Sequence, residues 1–149
     1  EEADTILFGR LTYQLMESFW PTKAGLEDDS VVAKLMNGTP KIVFSRSLEQ
    51  VVETDIWKHV RLVKENVQQE IEALKQQDGK NIVVLGSNNF CVTLLELGLL
   101  DELRIMVNPV VIGKGTSLFQ GVQKPVQLEL TKERSFHNGN ILLYYKPQK

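Results

Sequence analysis

Twice along this chain an apolar run ends on a glycine and passes directly into helical spacing. Thr5-Ile6-Leu7-Phe8 leads into Gly9-Arg10-Leu11-Thr12-Tyr13, and Asn81-Ile82-Val83-Val84-Leu85 leads into Gly86-Ser87-Asn88-Asn89-Phe90. Strand-to-helix junctions of this kind build parallel sheets, whose neighbouring strands need a crossover rather than a tight turn. The start of a helix also leaves backbone N–H groups unpaired at the positive end of the peptide dipole, so each junction is a ready anion site. Two such sites, one with an arginine inside it, suit a ligand carrying several phosphates, such as a dinucleotide.

The remaining segments extend the alternation. Leu11, Leu15 and Phe19 recur at helical spacing through residues 9–20, and Pro21 ends that segment. A short helix is predicted over residues 29–36, closed by Asn37-Gly38. Lys41-Ile42-Val43-Phe44 reads as a buried strand and Val60-Arg61-Leu62-Val63 as a weaker one. Asn66 can cap a helix whose face carries Val67, Ile71 and Leu74, with Asp78-Gly79 at its end. Asn81–Leu85 has the near-continuous apolar character of a strand covered on both faces. A helix bearing Phe90, Leu94 and Leu97 then stops at Gly98, and Leu103–Val107 forms a further strand. Val126, Leu128 and Leu130 alternate with polar residues, as do Ile141, Leu143 and Tyr145 beyond Asn138-Gly139. That dipeptide is a type I′ hairpin signal, because both central positions need positive φ. Strand–helix units closed by a hairpin predict an α/β fold: a three-layer α/β/α sandwich, its sheet mostly parallel with an antiparallel C-terminal edge.

Composition narrows the function classes. The chain has 149 residues, 42% of them hydrophobic and 24% charged, which fits one globular domain over residues 1–149 with a core needing no metal or disulfide. A formal charge of -2, with no lysine or arginine run, argues against a nucleic-acid partner. No run approaches the length of a membrane span, and no signal peptide is read. The lone Cys91 suits a reducing cytoplasm, and no Cys/His spacing points to a metal site.

Several residues are candidates for chemistry. Gly9 lets the backbone turn sharply and a ligand approach closely, Arg10 offers a planar donor fork for phosphate, and Thr12 adds a hydroxyl. The competing reading is an ordinary strand-to-helix turn with a solvated arginine. Gly86, Ser87, Asn88 and Asn89 lack the full three-glycine dinucleotide fingerprint; Ser87 and Asn88 could cap the helix or leave its first N–H groups for a pyrophosphate. Ser45-Arg46-Ser47 ends the strand before it, so Arg46 is placed either to meet a ribose 2′-phosphate or to lie solvated in a polar loop. His59, His137, Asp101 and Glu102 have no motif around them and read as structural or solvated. Cys91, near a helix start, reads either as a thiol of lowered pKa or, more simply, as packing. Trp20 and Trp57 read as packing groups.

The segments 3–13, 41–45, 84–87, 99–104, Pro109-Val110-Val111-Ile112-Gly113-Lys114-Gly115, Phe136-His137-Asn138-Gly139-Asn140 and Leu143-Tyr144-Tyr145 together resemble the dihydrofolate reductase-like superfamily. They resemble in particular the reductase domain of bifunctional riboflavin-biosynthesis enzymes and its stand-alone bacterial relatives. The resemblance covers nearly the whole chain in order. It implies an NADPH-dependent reductase that passes a hydride to a pteridine- or pyrimidine-like heterocycle. On that basis Gly9, Arg10 and Thr12 hold phosphate, Ser45 and Arg46 flank the adenosine end, and Gly86, Ser87, Asn88 and Asn89 line the pyrophosphate. Gly113, Lys114 and Gly115 fall near the substrate, and a homodimer is expected. Family members begin with one more strand, followed by a loop and helix that help to form the substrate pocket. The expectation is therefore that this chain lacks that N-terminal strand and helix, and no catalytic residue is assigned. A non-catalytic dinucleotide-binding or interaction domain is the alternative, and a general flavin or nucleotide binder a third.

Overall fold

The computed structural model describes residues 2–148. These fall into two compact units, the first running through Cys91 and the second from Val92 onward. In the first, β1 (Ala3–Gly9) passes straight into α1 (Arg10–Phe19), followed by α2 (Lys23–Asp28), α3 (Ser30–Gly38) and β2 (Lys41–Phe44). Then come β3 (Val60–Val63), α4 (Val67–Lys75) and β4 (Asn81–Val84), after which α5 (Asn88–Glu96) begins. The four strands form one sheet in the order β3-β2-β1-β4, and every pairing is parallel. Gly9 pairs with Phe44, and Leu7 with Val84, so the carboxyl ends of β1, β2 and β4 share one sheet edge.

The α/β class follows the sequence pattern, and the core shows why. β2 is buried at all four positions, and Phe8 and Val43 are 0% exposed at the centre of a cluster with Ile6, Tyr13, Met36 and Trp57. Tyr13 anchors α1 to this core. Its ring lies 6.4 Å from Phe8 and 6.1 Å from Trp57, both tilted. Its hydroxyl donates to Glu17 Oε1 at 3.0 Å, and burial pushes its pKa up to about 12. The apolar spacing of Leu11, Leu15 and Phe19 does not mark the inward face: Leu11 and Leu15 are each 64% exposed, and the buried residue of the helix is Tyr13.

The core also contains a cation. Lys41, only 1% exposed, donates from Nζ to the carbonyls of Asn37 (3.0 Å), Thr39 (2.7 Å) and Lys58 (2.9 Å). The same ammonium lies 4.4 Å from the centroid of the Trp57 ring. Three acceptors satisfy its three donors, which is the condition for burying such a group. Burial pushes its pKa down to about 8.

The second unit holds β5 (Leu103–Val107), β6 (Leu128–Ser135) and β7 (Ile141–Pro147), an antiparallel sheet in the order β5-β7-β6. The hairpin therefore does not form an edge of the parallel sheet; β7 is paired on one side by β5 and on the other by β6. No residue of these three strands is fully buried.

Three local expectations are corrected. Only Gly139 of the Asn138-Gly139 pair has positive φ (+85°), so the turn is not type I′. It is a longer loop in which Gly139 N–H donates to Phe136 O and Phe136 N–H to Asn140 O, each at 2.9 Å. Asn66 adopts the left-handed conformation (φ 56°) and makes no side-chain cap; its carbonyl accepts from Glu70 N–H instead. β4 is an edge strand of its sheet with no fully buried residue, rather than one covered on both faces. Among the described residues no helix is long and apolar enough to cross a membrane, and no cluster of ligands could hold a metal ion.

Candidate functional site: a cleft between two helix starts

The two glycine junctions meet. Gly9 N–H donates to Gly86 O at 3.0 Å, which ties the start of α1 to the turn that leads into α5. Phe44 stacks on Phe90 with centroids 4.9 Å apart, so the end of β2 also supports the first turn of α5. Between the junctions lies a shallow, largely open cleft of about 340 Å³ lined by Leu11, Thr12, Leu85, Gly86, Ser87, Asn88 and Asn89. Five of the predicted cofactor residues thus share one cleft, with Gly9 bonded to its wall.

The reason for glycine differs at the two junctions. Gly86 has φ +123°, a conformation that side chains rarely adopt, and its peptide bond to Ser87 is cis. Gly9 has φ -78° and ψ 159°, extended backbone open to any residue. The expected sharp turn at Gly9 is therefore absent. What requires glycine there is proximity: a Cβ on Gly9 would lie 2.6 Å from Ser87 Oγ and 3.2 Å from both Ser87 N and Phe90 Cβ.

The donor groups of the cleft suit an anion. Gly9, the N-cap of α1, has no side chain with which to cap the helix, and the first turns of α1 and α5 contain no acidic residue. The starts of α2 and α3 do have side-chain caps: Thr22 accepts from Gly25 N–H at 3.2 Å, and Asp29 Oδ1 from Val31 N–H at 2.9 Å and Val32 N–H at 3.0 Å. The half-buried hydroxyls of Thr12 and Ser87 have no hydrogen-bond partner among the described residues. Amide N–H groups at helix starts, unpartnered hydroxyls and no carboxylate are a donor set that fits phosphate.

The other predicted residues are placed as follows. Arg10 is exposed at the first position of α1 and donates to Gln14 Oε1 at 3.3 Å. Ser45 follows β2 at the same sheet edge, and its hydroxyl accepts from Ser47 N–H (3.3 Å) and Leu48 N–H (3.0 Å), which fixes a turn presenting Arg46 to solvent. Gly113, Lys114 and Gly115 belong to the second unit, in an exposed loop after β5. There Lys114 N–H donates to Ile112 O at 2.8 Å around Gly113 (φ +70°), a tight γ-turn.

The residues set aside on sequence grounds stay outside the cleft. Trp57 is buried in the core, and His137 is exposed in the hairpin turn. The His59 carbonyl accepts from Lys41 N–H at 2.7 Å, and Glu102 pairs with Arg104 at 2.6 Å. Burial pushes the Cys91 thiol up, opposite to the lowering that a helix start offers. Sequence reasoning missed Leu11 and Leu85, whose exposed side chains give the cleft its apolar walls. Their signal was position: each stands within two residues of a junction glycine.

Other proteins share this fold. A Shewanella sp. PV-4 protein named for riboflavin biosynthesis superposes with a TM-score of 0.73 at 21% identity, covering 98% of this chain and 75% of that one. A pyrimidine reductase-like protein from Corynebacterium diphtheriae gives a TM-score of 0.63 at 18% identity, over 99% of this chain and 77% of that one. In sequence, the uncharacterized protein YyaP of Bacillus subtilis (strain 168) is 31% identical over 144 residues, 97% of this chain and 74% of the relative. The family model for the RibD C-terminal domain matches residues 1–142, so the glycine junctions, the parallel sheet, β5 and β6 all fall within one match. This chain belongs to the RibD C-terminal domain family, a riboflavin-type reductase family of dihydrofolate reductase-like fold.

Proposed function

We propose that this protein is an NADPH-dependent reductase that passes a hydride to a pteridine- or pyrimidine-like small molecule. The observation that carries the reading is the pairing of two helix starts, both free of first-turn carboxylates, across one cleft at the carboxyl edge of a parallel sheet. Open α/β sheets take their ligands at that edge. Gly9, Arg10 and Thr12 would hold phosphate through an amide, a guanidinium and a hydroxyl. Gly86, Ser87, Asn88 and Asn89 would line the pyrophosphate. Ser45 and Arg46 would flank the adenosine end, with Arg46 meeting a ribose 2′-phosphate, and Gly113, Lys114 and Gly115 are assigned to the substrate. When bound, the nicotinamide cofactor supplies the hydride, and the protein's contribution is binding, orientation and local polarity.

Fluorescence titration with NADPH and NADH tests the binding half. Replacing Arg10 and Arg46 together with alanine should weaken NADPH more than NADH, by roughly 10- to 100-fold for the charged hydrogen bond that only the 2′-phosphate makes. Equal affinity of the unaltered protein for the two cofactors defeats the 2′-phosphate assignment. Loss of nicotinamide absorbance over a panel of pterins and pyrimidines tests the chemistry. One observation favours the alternative of a binding module without turnover: no residue lining the cleft titrates, so the lining offers no proton donor. Tight NADPH binding with no oxidation across the panel would favour that alternative.

The protein is further proposed to act as a homodimer through its second unit. The strands there bury no residue, and the adjoining Val110, Val111 and Ile112 are strongly exposed. Contiguous apolar surface of this kind marks contact sites.

A further inference from the structure

The two junctions interlock reciprocally: each glycine of one turn is faced by a hydroxyl side chain of the other. Ser87 Oγ stands 2.6 Å from where a Cβ on Gly9 would be, and Thr12 Oγ1 stands 3.0 Å from where one on Gly86 would be. The Gly9 N–H to Gly86 O bond at 3.0 Å closes the same contact through the backbone. Gly9 has ordinary extended dihedrals, so nothing in its own conformation calls for glycine. The constraint comes from the turn into α5, far along the chain, with the Ser87 hydroxyl its closest atom and Ser87 N and Phe90 Cβ next.

We propose that Ser87 is a positioning residue: its hydroxyl occupies the space left by the missing Cβ of Gly9 and keys the 86–89 turn to the start of α1. The two helix starts then act as one rigid clamp rather than as two independent anion sites. Packed contacts of this closeness have few alternative arrangements, because interiors do not deform continuously. The key holds both sets of amides, and the Thr12 hydroxyl, at a fixed separation before any ligand arrives. Its consequence for the cofactor rests on the proposed NADPH reading; the lock itself does not.

A double-mutant cycle on the full chain separates the two. Gly9→Ala alone forces the Ser87 hydroxyl out of its place and should weaken NADPH binding on the order of tenfold, as overpacking does. Gly9→Ala combined with Ser87→Ala should recover most of the Gly9→Ala loss relative to Ser87→Ala alone, because the 2.6 Å contact is gone and only the 3.2 Å approaches to Ser87 N and Phe90 Cβ remain. Thermal unfolding without cofactor should show the same non-additivity. Losses that simply add, in unfolding midpoints and in NADPH affinity, overturn the proposal. An unaltered protein that binds no NADPH defeats the cofactor reading while leaving the unfolding cycle to decide the lock. A merely destabilising Gly9→Ala would not be rescued in its NADPH affinity by removing one hydroxyl oxygen.

Discussion

The two units solve the problem of a small sheet in opposite ways. In the first, β1 and β2 each lie between two parallel neighbours, and β2 is buried along its whole length. In the second, a three-stranded antiparallel sheet alternates cross-strand pairs without burying any strand residue. Parallel strands joined by helical crossovers acquire a cover, whereas hairpin strands can leave a face open. The first arrangement fixes a sheet edge, and the second leaves strand surface exposed.

The largest test of this contrast is a matched pair of truncations. Phe8→Ala, at a position 0% exposed, should cost about 3–5 kcal/mol in denaturant unfolding. Leu143→Ala, on half-buried β7, should cost roughly 1–2 kcal/mol, in proportion to the smaller area removed from water. Equal costs would mean that the second sheet is as well covered as the first.

A middle-sized effect concerns Lys41. Lys41→Met leaves the carbonyls of Asn37, Thr39 and Lys58 without their donor and should cost about 2–3 kcal/mol near neutral pH. The pH dependence has a definite sign. Between the folded value of about 8 and the ordinary 10.5, the unfolded chain keeps a proton that the folded chain has released. Stability from this group therefore rises with pH across that window. The gap between unaltered protein and Lys41→Met should widen from pH 8 to pH 10; a gap that narrows counts against the assignment.

The smallest effect on folding should carry the largest effect on assembly. Val111 is 98% exposed, so Val111→Asp should change unfolding free energy by no more than about 0.5 kcal/mol. If the second unit is the contact surface of a homodimer, the substitution should nonetheless shift sedimentation to a species near 16.9 kDa. Unaltered protein that already sediments at that mass removes the dimer proposal.

Much of the fold could be read in the chain because its signals are local. The strands at residues 41–44, 60–63 and 103–107 fall where apolar runs and their flanking turns put them. Gly98, at φ +67° just past α5, stops that helix as a glycine should. The hairpin loop was misread because Asn138-Gly139 also fits a longer loop in which only the glycine takes positive φ. Leu11 and Leu15 were misread because helical spacing reveals a stripe without revealing which side of the helix the core occupies. Tyr13, aromatic and amphipathic, took that side instead.

What the sequence by itself determined was the order of the strands and of every helix but α2, and the two glycine junctions. Those follow from side-chain periodicity and backbone freedom within a few residues. Only the tertiary structure decided that the hairpin strands form a sheet of their own, that a lysine belongs in the core, and that a Cβ at Gly9 would meet Ser87 and Phe90. Each of these depends on what a residue meets from a distant part of the chain, and close packing, not local propensity, sets that partner.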